Sequence, residues 1–230
     1  MTLSKVIAID GPSGSGKSTI ARKLSQHLGV LYVDTGAMYR SLGYICKKYN
    51  IPFVDNEELG SFLAGLDFKY MGTPEKLLEI NGEDLTAIIR EHHVSSLASS
   101  ISQLPRVRDY LVDFQRQLAQ KIICVMEGRD IGTVVFPNAF CKIYLTAGLE
   151  IRAQRRLEQL IQQGHTGHTF GEMLADVKKR DERDSQRKIA PLKQAEGALL
   201  LDAGEKSIDT VLAEISAYAR AKGQPLGIKI

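Results

Sequence analysis

The sequence has few cysteines, and their arrangement excludes a cross-linked or zinc-stabilised fold. Only Cys46, Cys124 and Cys141 occur among 230 residues, and no two of them have the CxxC spacing that is typical of zinc and redox sites. A chain of this length can bury a core without disulfides, so a disulfide framework is not expected. We therefore expect a protein with reduced thiols.

An excess of charge of one sign is also missing. Lys and Arg total 30 and Asp and Glu total 27, which gives a formal net charge of +3. A general nucleic-acid coat protein would have a large basic excess, and an acidic disordered chain would have the opposite imbalance. We therefore expect small molecules, and not nucleic acid, as partners.

Long hydrophobic runs are absent as well. No apolar stretch approaches the roughly 20 residues that a membrane helix needs, and the first ten residues lack the pattern of a signal peptide. No coiled-coil or repeat pattern points to assembly. We therefore expect a cytoplasmic protein with no membrane partner, and a monomer.

Short apolar segments alternate with longer helical patterns along most of the chain. This alternation predicts an α/β fold in which helical crossovers flank a sheet of five parallel strands. The predicted strands are 6–9, 31–33, 122–125, 142–145 and 198–201. The predicted helices are 17–28, 36–49, 104–120, 148–163 and 207–222.

Two segments interrupt the alternation. Residues 60–98 contain two short strand-like runs and the dipeptide Asn81-Gly82, a strong hairpin signal, so a small antiparallel insert is predicted there. Residues 164–191 begin with Gly164, Gly167 and Gly171, which loosen the chain, and continue as a charged helix over about 172–184.

The strongest motif lies between the first predicted strand and the first predicted helix, and it matches GxxxxGK[ST] in full. Its glycines let backbone N–H groups approach phosphate oxygens, Lys17 can reach the outer phosphates, and the Ser18 hydroxyl can bind Mg²⁺. It predicts a fold of the P-loop NTPase type and a nucleotide-binding loop made of Gly11, Pro12, Ser13, Gly14, Ser15, Gly16, Lys17, Ser18 and Thr19. Asp10 and Glu127 end strands nearby, and either could support Mg²⁺.

This motif alone does not decide the reaction, because GTPases, motor ATPases and small-molecule kinases share it. No Asn-Lys-x-Asp motif follows, which argues against a GTPase, and the chain is short for a motor or transporter ATPase. A small-molecule kinase remains, and such an enzyme needs a second site for its acceptor.

Four further clusters could form that acceptor site. They are Asp34-Thr-Gly-Ala-Met-Tyr-Arg40, Pro105-Arg-Val-Arg108, Gly128-Arg-Asp-Ile-Gly132 and the charged run 178–187. Taken singly, each has an ordinary structural explanation: a helix cap, a solvated arginine pair, a turn or an ion-paired helix face. Together they supply a plausible set of phosphate clamps, namely Arg40, Arg108, Arg129, Arg180 and Arg187.

In these motifs the chain resembles the bacterial cytidylate (CMP/dCMP) kinases over essentially its whole length. The specific segments are DTGAMYR, LEINGEDLTAIIR, PRVR, GRDIGTVVFP and RDERDSQRKIAPL, in the same order and spacing. The resemblance implies the reaction ATP + CMP ⇌ ADP + CDP, with dCMP also accepted and UMP used poorly.

The resemblance also implies the roles of individual residues. Arg155 and Arg156 would touch the donor nucleotide, and the catalytic residues would be Lys17, Arg129, Asp130 and Arg180. The implied substrate-binding residues are Thr35, Arg108 and Arg187 for cytosine, Arg40, Arg129 and Asp130 for the acceptor phosphate and the region near the base, and Ser99, Arg180 and Asp184 for sugar and phosphate.

The domain organisation follows from the same resemblance. We expect one kinase domain over 1–230, with an acceptor-binding insert at about 60–98, a helical lid at about 151–191, and a core that comprises the remaining segments 1–59, 99–150 and 192–230. One departure is that the DSG often found in the family after the second strand is here DTG. The hydroxyl of Thr35 is kept, and the added methyl group could shift the pyrimidine preference.

Three alternatives stay open at this point: a kinase for UMP, a kinase for another small acceptor such as shikimate, and a non-catalytic nucleotide-binding switch. The distribution of charge favours a kinase of small nucleotides. Residues 152–188 hold nine Lys or Arg and six Asp or Glu, so this segment accounts for the entire excess of +3.

Overall fold

A computed structural model describes residues 4–120 and 122–230 of the chain. The chain divides into two compact units, Met1–Tyr32 with Ala119–Ile230, and Val33–Leu118. The strands are β1 (Ser4–Asp10), β2 (Leu31–Asp34), β3 (Phe68–Tyr70), β4 (Leu78–Ile80), β5 (Glu83–Asp84), β6 (Cys124–Gly128), β7 (Ala139–Thr146) and β8 (Leu199–Asp202). The helices are α1 (Lys17–Leu28), α2 (Thr35–Lys48), α3 (Glu57–Ala64), α4 (His92–Ile101), α5 (Pro105–Leu118), α6 (Leu149–Gln162), α7 (Phe170–Gln186) and α8 (Ile208–Gly223).

The first unit is built on a parallel sheet with the strand order β2-β6-β1-β7-β8. The central strand β1 pairs with β6 and with β7, so its last residue, Asp10, lies opposite Gly128 and Tyr144. Residues 6–10 of this strand are all buried, as expected for a strand with helices on both faces. The predicted five-stranded parallel α/β fold is therefore confirmed.

Three of the five predicted strands are found within two residues of their expected ends, whereas β6 and β7 each differ by three residues at one end. The observed β7 begins at Ala139 and not at the expected residue 142. The sequence predicts 122–125, whereas β6 runs from Cys124 to Gly128. The strand continues through Glu127 because this carboxylate, although buried, accepts a 3.1 Å hydrogen bond from the Tyr32 hydroxyl.

The second unit contains a three-stranded antiparallel sheet, β3-β4-β5, and helices α2 to α5. Asn81 and Gly82 join β4 to β5 with φ angles of 51° and 81°, the left-handed pair that a type I′ hairpin turn requires. The predicted hairpin is confirmed. The sequence patterns did not predict α3, whose first turn is capped by the Asn56 side chain at 3.0 Å from the Leu59 nitrogen, or α4.

Helices α6 and α7 pack on each other around a small apolar cluster of Ala153, Leu160 and Met173. The N-terminus of α7 carries a capping box, in which Thr169 and Glu172 each accept the other's backbone N–H. This cap starts α7 earlier than predicted, so Gly171 lies inside the helix and only Gly164 and Gly167 lie in the connecting loop. No helix in the described ranges is long and apolar enough to span a bilayer.

One buried side chain of the second unit offers a direct test of its packing. Gln115 on α5 is 1% exposed, and neither atom of its amide has a hydrogen-bond partner among residues 4–120 and 122–230. A buried polar group without a partner destabilises the folded state by about 1–3 kcal/mol. We therefore expect Gln115→Met, which removes the amide at similar volume, to raise the free energy of unfolding by about 1–2 kcal/mol.

The measurement is urea unfolding of the wild type, Gln115→Met and Gln115→Glu. The Glu variant is the matched control, because it keeps the shape and places a charge at the same point, and it should be less stable than the wild type. A Met variant that is also destabilised would show that the amide is satisfied in solution.

Candidate active site

The phosphate loop connects β1 to α1 in a conformation that only glycine fits at two points. A Cβ atom on Gly11 would lie 2.0 Å from the Leu145 carbonyl oxygen, and one on Gly14, at φ +76°, would lie 2.8 Å from the Arg152 carbonyl oxygen. The loop therefore packs directly against backbone of β7 and α6. The predicted loop residues 11–19 form one continuous turn into the N-terminus of α1, where backbone N–H groups lack intrahelical acceptors.

Lys17 is the buried cation of this loop. Its side chain is folded back so that Nζ donates to the Pro12 carbonyl at 2.6 Å and to the Ser15 hydroxyl at 3.4 Å. Burial, together with the positive charges of Arg129 and Arg180, lowers the pKa of Lys17 to about 7, although Glu127 and Asp184 act in the opposite direction. An anionic phosphate at the loop would favour the charged ammonium form.

Two pairs of opposite charge link the segment after β6 to the end of α7. The Arg129 Nε donates to Asp184 Oδ2 at 2.9 Å, and a guanidinium nitrogen of Arg187 lies 3.4 Å from Asp130 Oδ1. All four side chains are largely buried. The structure thus brings together four of the predicted site residues, although Arg187 stands just beyond the end of α7 and not within it.

Arg180 completes this group from one turn earlier on α7. Burial raises the pKa of Asp184, but the positive charges of Arg129, Arg180 and Arg187, with the hydrogen bond from Arg129, outweigh it and hold the pKa below its ordinary value. The carboxylate is therefore ionised at neutral pH and can hold the guanidinium groups in place.

Arg152 is a member of this site that the sequence patterns did not single out. It is 7% exposed, and its guanidinium donates to the Ala147 carbonyl at 2.8 Å and to the Ser13 carbonyl at 3.1 Å while it pairs with Asp181. It therefore ties the phosphate loop to α7. The only feature of the sequence that could have pointed to Arg152 was its place in the basic segment 152–188.

The two arginines predicted to touch the donor nucleotide differ in their surroundings. Arg155 donates to the carbonyls of Ala203 and Gly204 at 2.7 and 3.1 Å, and its guanidinium is near Gly16 of the phosphate loop. The guanidinium of Arg156 instead donates to the Gln159 side chain on its own helix at 2.9 Å. Ser18 and Thr19, in the first turn of α1, are exposed.

The other predicted acceptor residues lie in the second unit, two of them at the start of α2. Asp34 caps this helix by accepting the Ala37 N–H at 2.8 Å, and its second carboxylate oxygen lies 3.1 Å from the Arg40 guanidinium. Thr35, the first helical residue, is buried. The helix-cap explanation of Asp34 is therefore correct, and it also holds Arg40 in a fixed orientation.

Ser99 and Arg108 lie on α4 and α5 of the same unit. Helix α4 approaches α2 closely at Gly43, where a Cβ atom would lie 2.9 Å from that of Leu97. Both Ser99 and Arg108 are buried, and a guanidinium nitrogen of Arg108 lies 3.4 Å from the Tyr39 hydroxyl. Arginine is almost never this fully buried unless it is paired, so Arg108 stays a candidate for its predicted role.

A phosphate loop at the end of a parallel strand, a buried lysine and a set of oriented guanidinium groups define a P-loop kinase. Comparison with known proteins gives the particular family. The cytidylate kinase family model matches residues 7–221. The chain therefore belongs to the cytidylate kinase family.

Individual relatives agree with this family model. The chain is 44% identical to a cytidylate kinase of Pseudomonas fluorescens over 215 residues. This alignment covers 91% of this chain and 93% of that protein. It is 43% identical to a cytidylate kinase of Colwellia psychrerythraea, over 94% of this chain and 96% of that one. Among solved structures, an uncharacterized protein from Eubacterium ventriosum has the same fold, with a TM-score of 0.53, 15% identity and coverage of 94% and 98% of the two chains.

The lowered pKa of Asp184 predicts a pH-dependent contribution to stability. Because the pKa is lower in the folded state, ionised Asp184 stabilises the fold above its ordinary pKa, and this contribution disappears as the pH falls through the lower folded value. We expect Asp184→Asn to lower the free energy of unfolding by about 3 kcal/mol at pH 7, because Arg129 loses its partner. The difference from the wild type should shrink as the pH falls below about 4.

Chemical denaturation of both proteins at several pH values between 3 and 7 measures this difference. Asp176→Asn, an exposed carboxylate on the same helix, is the matched control and should remain within about 0.5 kcal/mol of the wild type. A gap for Asp184→Asn that stays constant with pH would contradict the prediction.

Proposed function

We propose that this kinase transfers the terminal phosphoryl group of ATP to CMP and dCMP and forms CDP and dCDP. Membership of the cytidylate kinase family gives the acceptor class. The observation that carries the phosphoryl-transfer chemistry is the phosphate loop packed on the backbone of β7 and α6, which holds the buried Lys17. The positive charges of Arg129 and Arg180 lie close to this lysine. Such a concentration of positive charge is suited to a transferring phosphoryl group and is costly without one.

The chemistry needs positioning and charge stabilisation more than a strong base, because the acceptor is already an ionised phosphate oxygen. We assign the outer phosphates of ATP to Lys17 and the phosphate-loop N–H groups, and the charge developing on the transferred group to Arg129 and Arg180. Asp184 would orient Arg129 and contact the acceptor sugar, and Asp130, which pairs with Arg187, would contact the acceptor phosphate and the region near the base. Arg155 and Arg156 would contact the donor nucleotide.

Mg²⁺ is expected to accompany ATP and would neutralise charge on its phosphates. The residues present fit such an ion: the Ser18 hydroxyl is exposed in the first turn of α1, next to Lys17. No cluster of three or more His, Cys, Asp or Glu side chains suited to a metal occurs in the part of the chain that the structure describes. This pattern agrees with an ion held by one hydroxyl and by substrate phosphates, as is usual for Mg²⁺.

For the acceptor we assign Thr35, Arg108 and Arg187 to cytosine, Arg40 to the phosphate and Ser99 to the sugar. Segment 60–98 would form the acceptor-binding insert, and segment 151–191 would close as a lid that excludes water during transfer. The pairing of α6 and α7 around their own apolar cluster supports a lid that moves as one piece. We also propose that the enzyme acts as a cytoplasmic monomer, which size-exclusion chromatography with light scattering would test.

The experiment that tests the proposed function is coupled detection of ADP with CMP, dCMP, UMP, AMP, GMP and shikimate offered in turn. We expect turnover with CMP and dCMP and little with UMP. No ADP formation that depends on CMP would overturn the proposal, and equal turnover of UMP and CMP would leave the kinase class but remove the proposed specificity.

Removing either principal cation should abolish most of the activity without unfolding the chain. We expect Lys17→Ala and Arg129→Ala to lower kcat by about 100-fold or more, because each removes a group that stabilises charge in the transition state. Lys23→Ala, an exposed lysine on the same helix as Lys17, is the matched control and should retain wild-type kcat. Circular dichroism confirms folding, and wild-type turnover in either active-site variant would contradict the assignment.

The hydroxyl of Thr35 provides a test of base recognition. Thr35→Val keeps the volume of this buried side chain and removes the hydroxyl, so we expect KM for CMP to rise about tenfold while KM for ATP changes little. Thr35→Ser retains the hydroxyl and should restore KM for CMP. Steady-state kinetics with each substrate varied would measure both effects, and an unchanged KM for CMP in the Val variant would exclude the contact.

A further inference from the structure

Asp10 occupies an unusual place for a carboxylate. It is the last residue of β1, immediately before the phosphate loop, and it is only 2% exposed. Its Oδ1 accepts the backbone N–H of Ile131 at 2.8 Å, and its Oδ2 accepts that of Gly132 at 2.7 Å. One side chain therefore joins two segments that are more than 120 residues apart in sequence.

The two N–H groups belong to the first turn of a π-helical segment, Ile131–Val135, that follows β6. Donors in the first turn of a helix have no acceptor within the helix, and an anionic acceptor is the most favourable one at that end. Asp130, in the N-cap position, makes no side-chain capping bond and lies near Arg187 instead. Asp10 therefore caps this turn from a different strand.

Stability alone does not account for a carboxylate at this position. The pKa of Asp10 is raised to about 7, chiefly by burial and also by the nearby charge of Asp130. The two N–H groups and Lys17 act in the opposite direction and lower the pKa. Keeping the ionised form buried thus costs free energy that a neutral residue would not. The compensating gain is geometric, since both oxygens are bound to one short backbone segment.

The residues directly before that segment are Arg129 and Asp130. Their side chains reach Asp184 and Arg187, at 2.9 and 3.4 Å. We infer that Asp10 is a positioning residue, whose carboxylate holds the backbone after Arg129 and Asp130 against the strand that leads into the phosphate loop and so fixes where these two side chains point. The inference rests on the proposed function for the roles of Arg129 and Asp130.

The first test is the kinetics of Asp10→Asn. The amide has the same size, but it offers one acceptor and turns an NH₂ group toward the second N–H donor, so one of the two hydrogen bonds is lost. We expect kcat/KM for CMP to fall about 10- to 100-fold, as for a small misplacement of a catalytic group, and KM for ATP to change less than about threefold. Wild-type kcat/KM, or an equal loss for both substrates, would overturn the inference.

The matched control is Ser207→Ala. The exposed Ser207 hydroxyl also caps a helix, because it accepts the Thr210 N–H at 3.1 Å at the start of α8, outside the residues and segments assigned to either substrate. Its kinetics should match the wild type, which would show that loss of a side-chain capping bond alone does not lower activity.

A double-mutant cycle shows whether Asp10 acts through Arg129. If it does, Asp10→Asn should lower kcat/KM by less than about twofold in an Arg129→Ala background, although it lowers it strongly in the wild type. A merely structural residue would lower both by the same factor. Additive losses would therefore overturn the inference.

Hydrogen exchange provides a readout that does not depend on CMP. The amides of residues 131–136 should exchange faster in Asp10→Asn than in the wild type, while those of α8 should not change. If the wild type fails to phosphorylate CMP but these amides exchange faster in Asp10→Asn, the proposed function is wrong and the positioning role of Asp10 is supported. Unchanged exchange would overturn the inference even in an active kinase.

A second variant keeps the inference falsifiable if Asp10→Asn does not fold. Gly132→Ala leaves the carboxylate in place, but the new Cβ atom would lie only 3.2 Å from the Ala195 side chain and 3.3 Å from that of Lys142, so we expect the backbone at Gly132 to shift relative to Asp10. This variant should show the same selective loss of kcat/KM for CMP as Asp10→Asn. Retention of wild-type values would contradict the positioning role of Asp10.

Discussion

Compensation of buried positive charge is the constraint on which the first unit depends. Lys17, Arg129 and Arg152 are all largely removed from water, and an isolated buried cation costs several kcal/mol. Arg129 and Arg152 meet this cost by pairing with carboxylates of α7, Asp184 and Asp181. Arg152 thereby joins the phosphate loop to α7, and Arg129 joins the segment after β6 to the same helix. Under the proposed function, the carboxylates have already oriented these guanidinium groups before a nucleotide binds.

Two further features follow from this constraint. Arginine suits such an exchange better than lysine, because its planar guanidinium can bind a carboxylate on one edge while it presents the other to phosphate. The basic excess is confined to 152–188, the segment that contains both α6 and α7. The remainder of the chain is balanced, so the positive charge available to attract phosphate groups is concentrated near this segment.

The elements that the sequence predicted well are those with local signals. Helix α1 begins after Gly16 and ends before Gly29, whose left-handed φ angles of 91° and 65° mark both ends, and the predicted 17–28 is the observed helix. The predicted end of β6 was wrong because a distant residue helps to bury the end of the strand. Glu127 looks like a strand terminator in the sequence, but it accepts a hydrogen bond from the Tyr32 hydroxyl and lies buried within the sheet. The α3 helix is too short for a helical period to stand out.

The residues of the site also separate into those with a local sequence signal and those without one. The phosphate loop and the arginine set could be predicted because their residue types are themselves the sequence motifs. The roles of these residues toward each substrate stay predictions. Asp10 and Arg152 bind backbone atoms of residues 121 and 139 positions away. Every residue except proline offers a backbone N–H and every residue a carbonyl, so neither partner leaves a trace in the sequence. A residue that acts through the backbone of a distant segment becomes visible only when the fold sets that segment beside it, and such positioning residues are therefore the part of an active site that motifs omit.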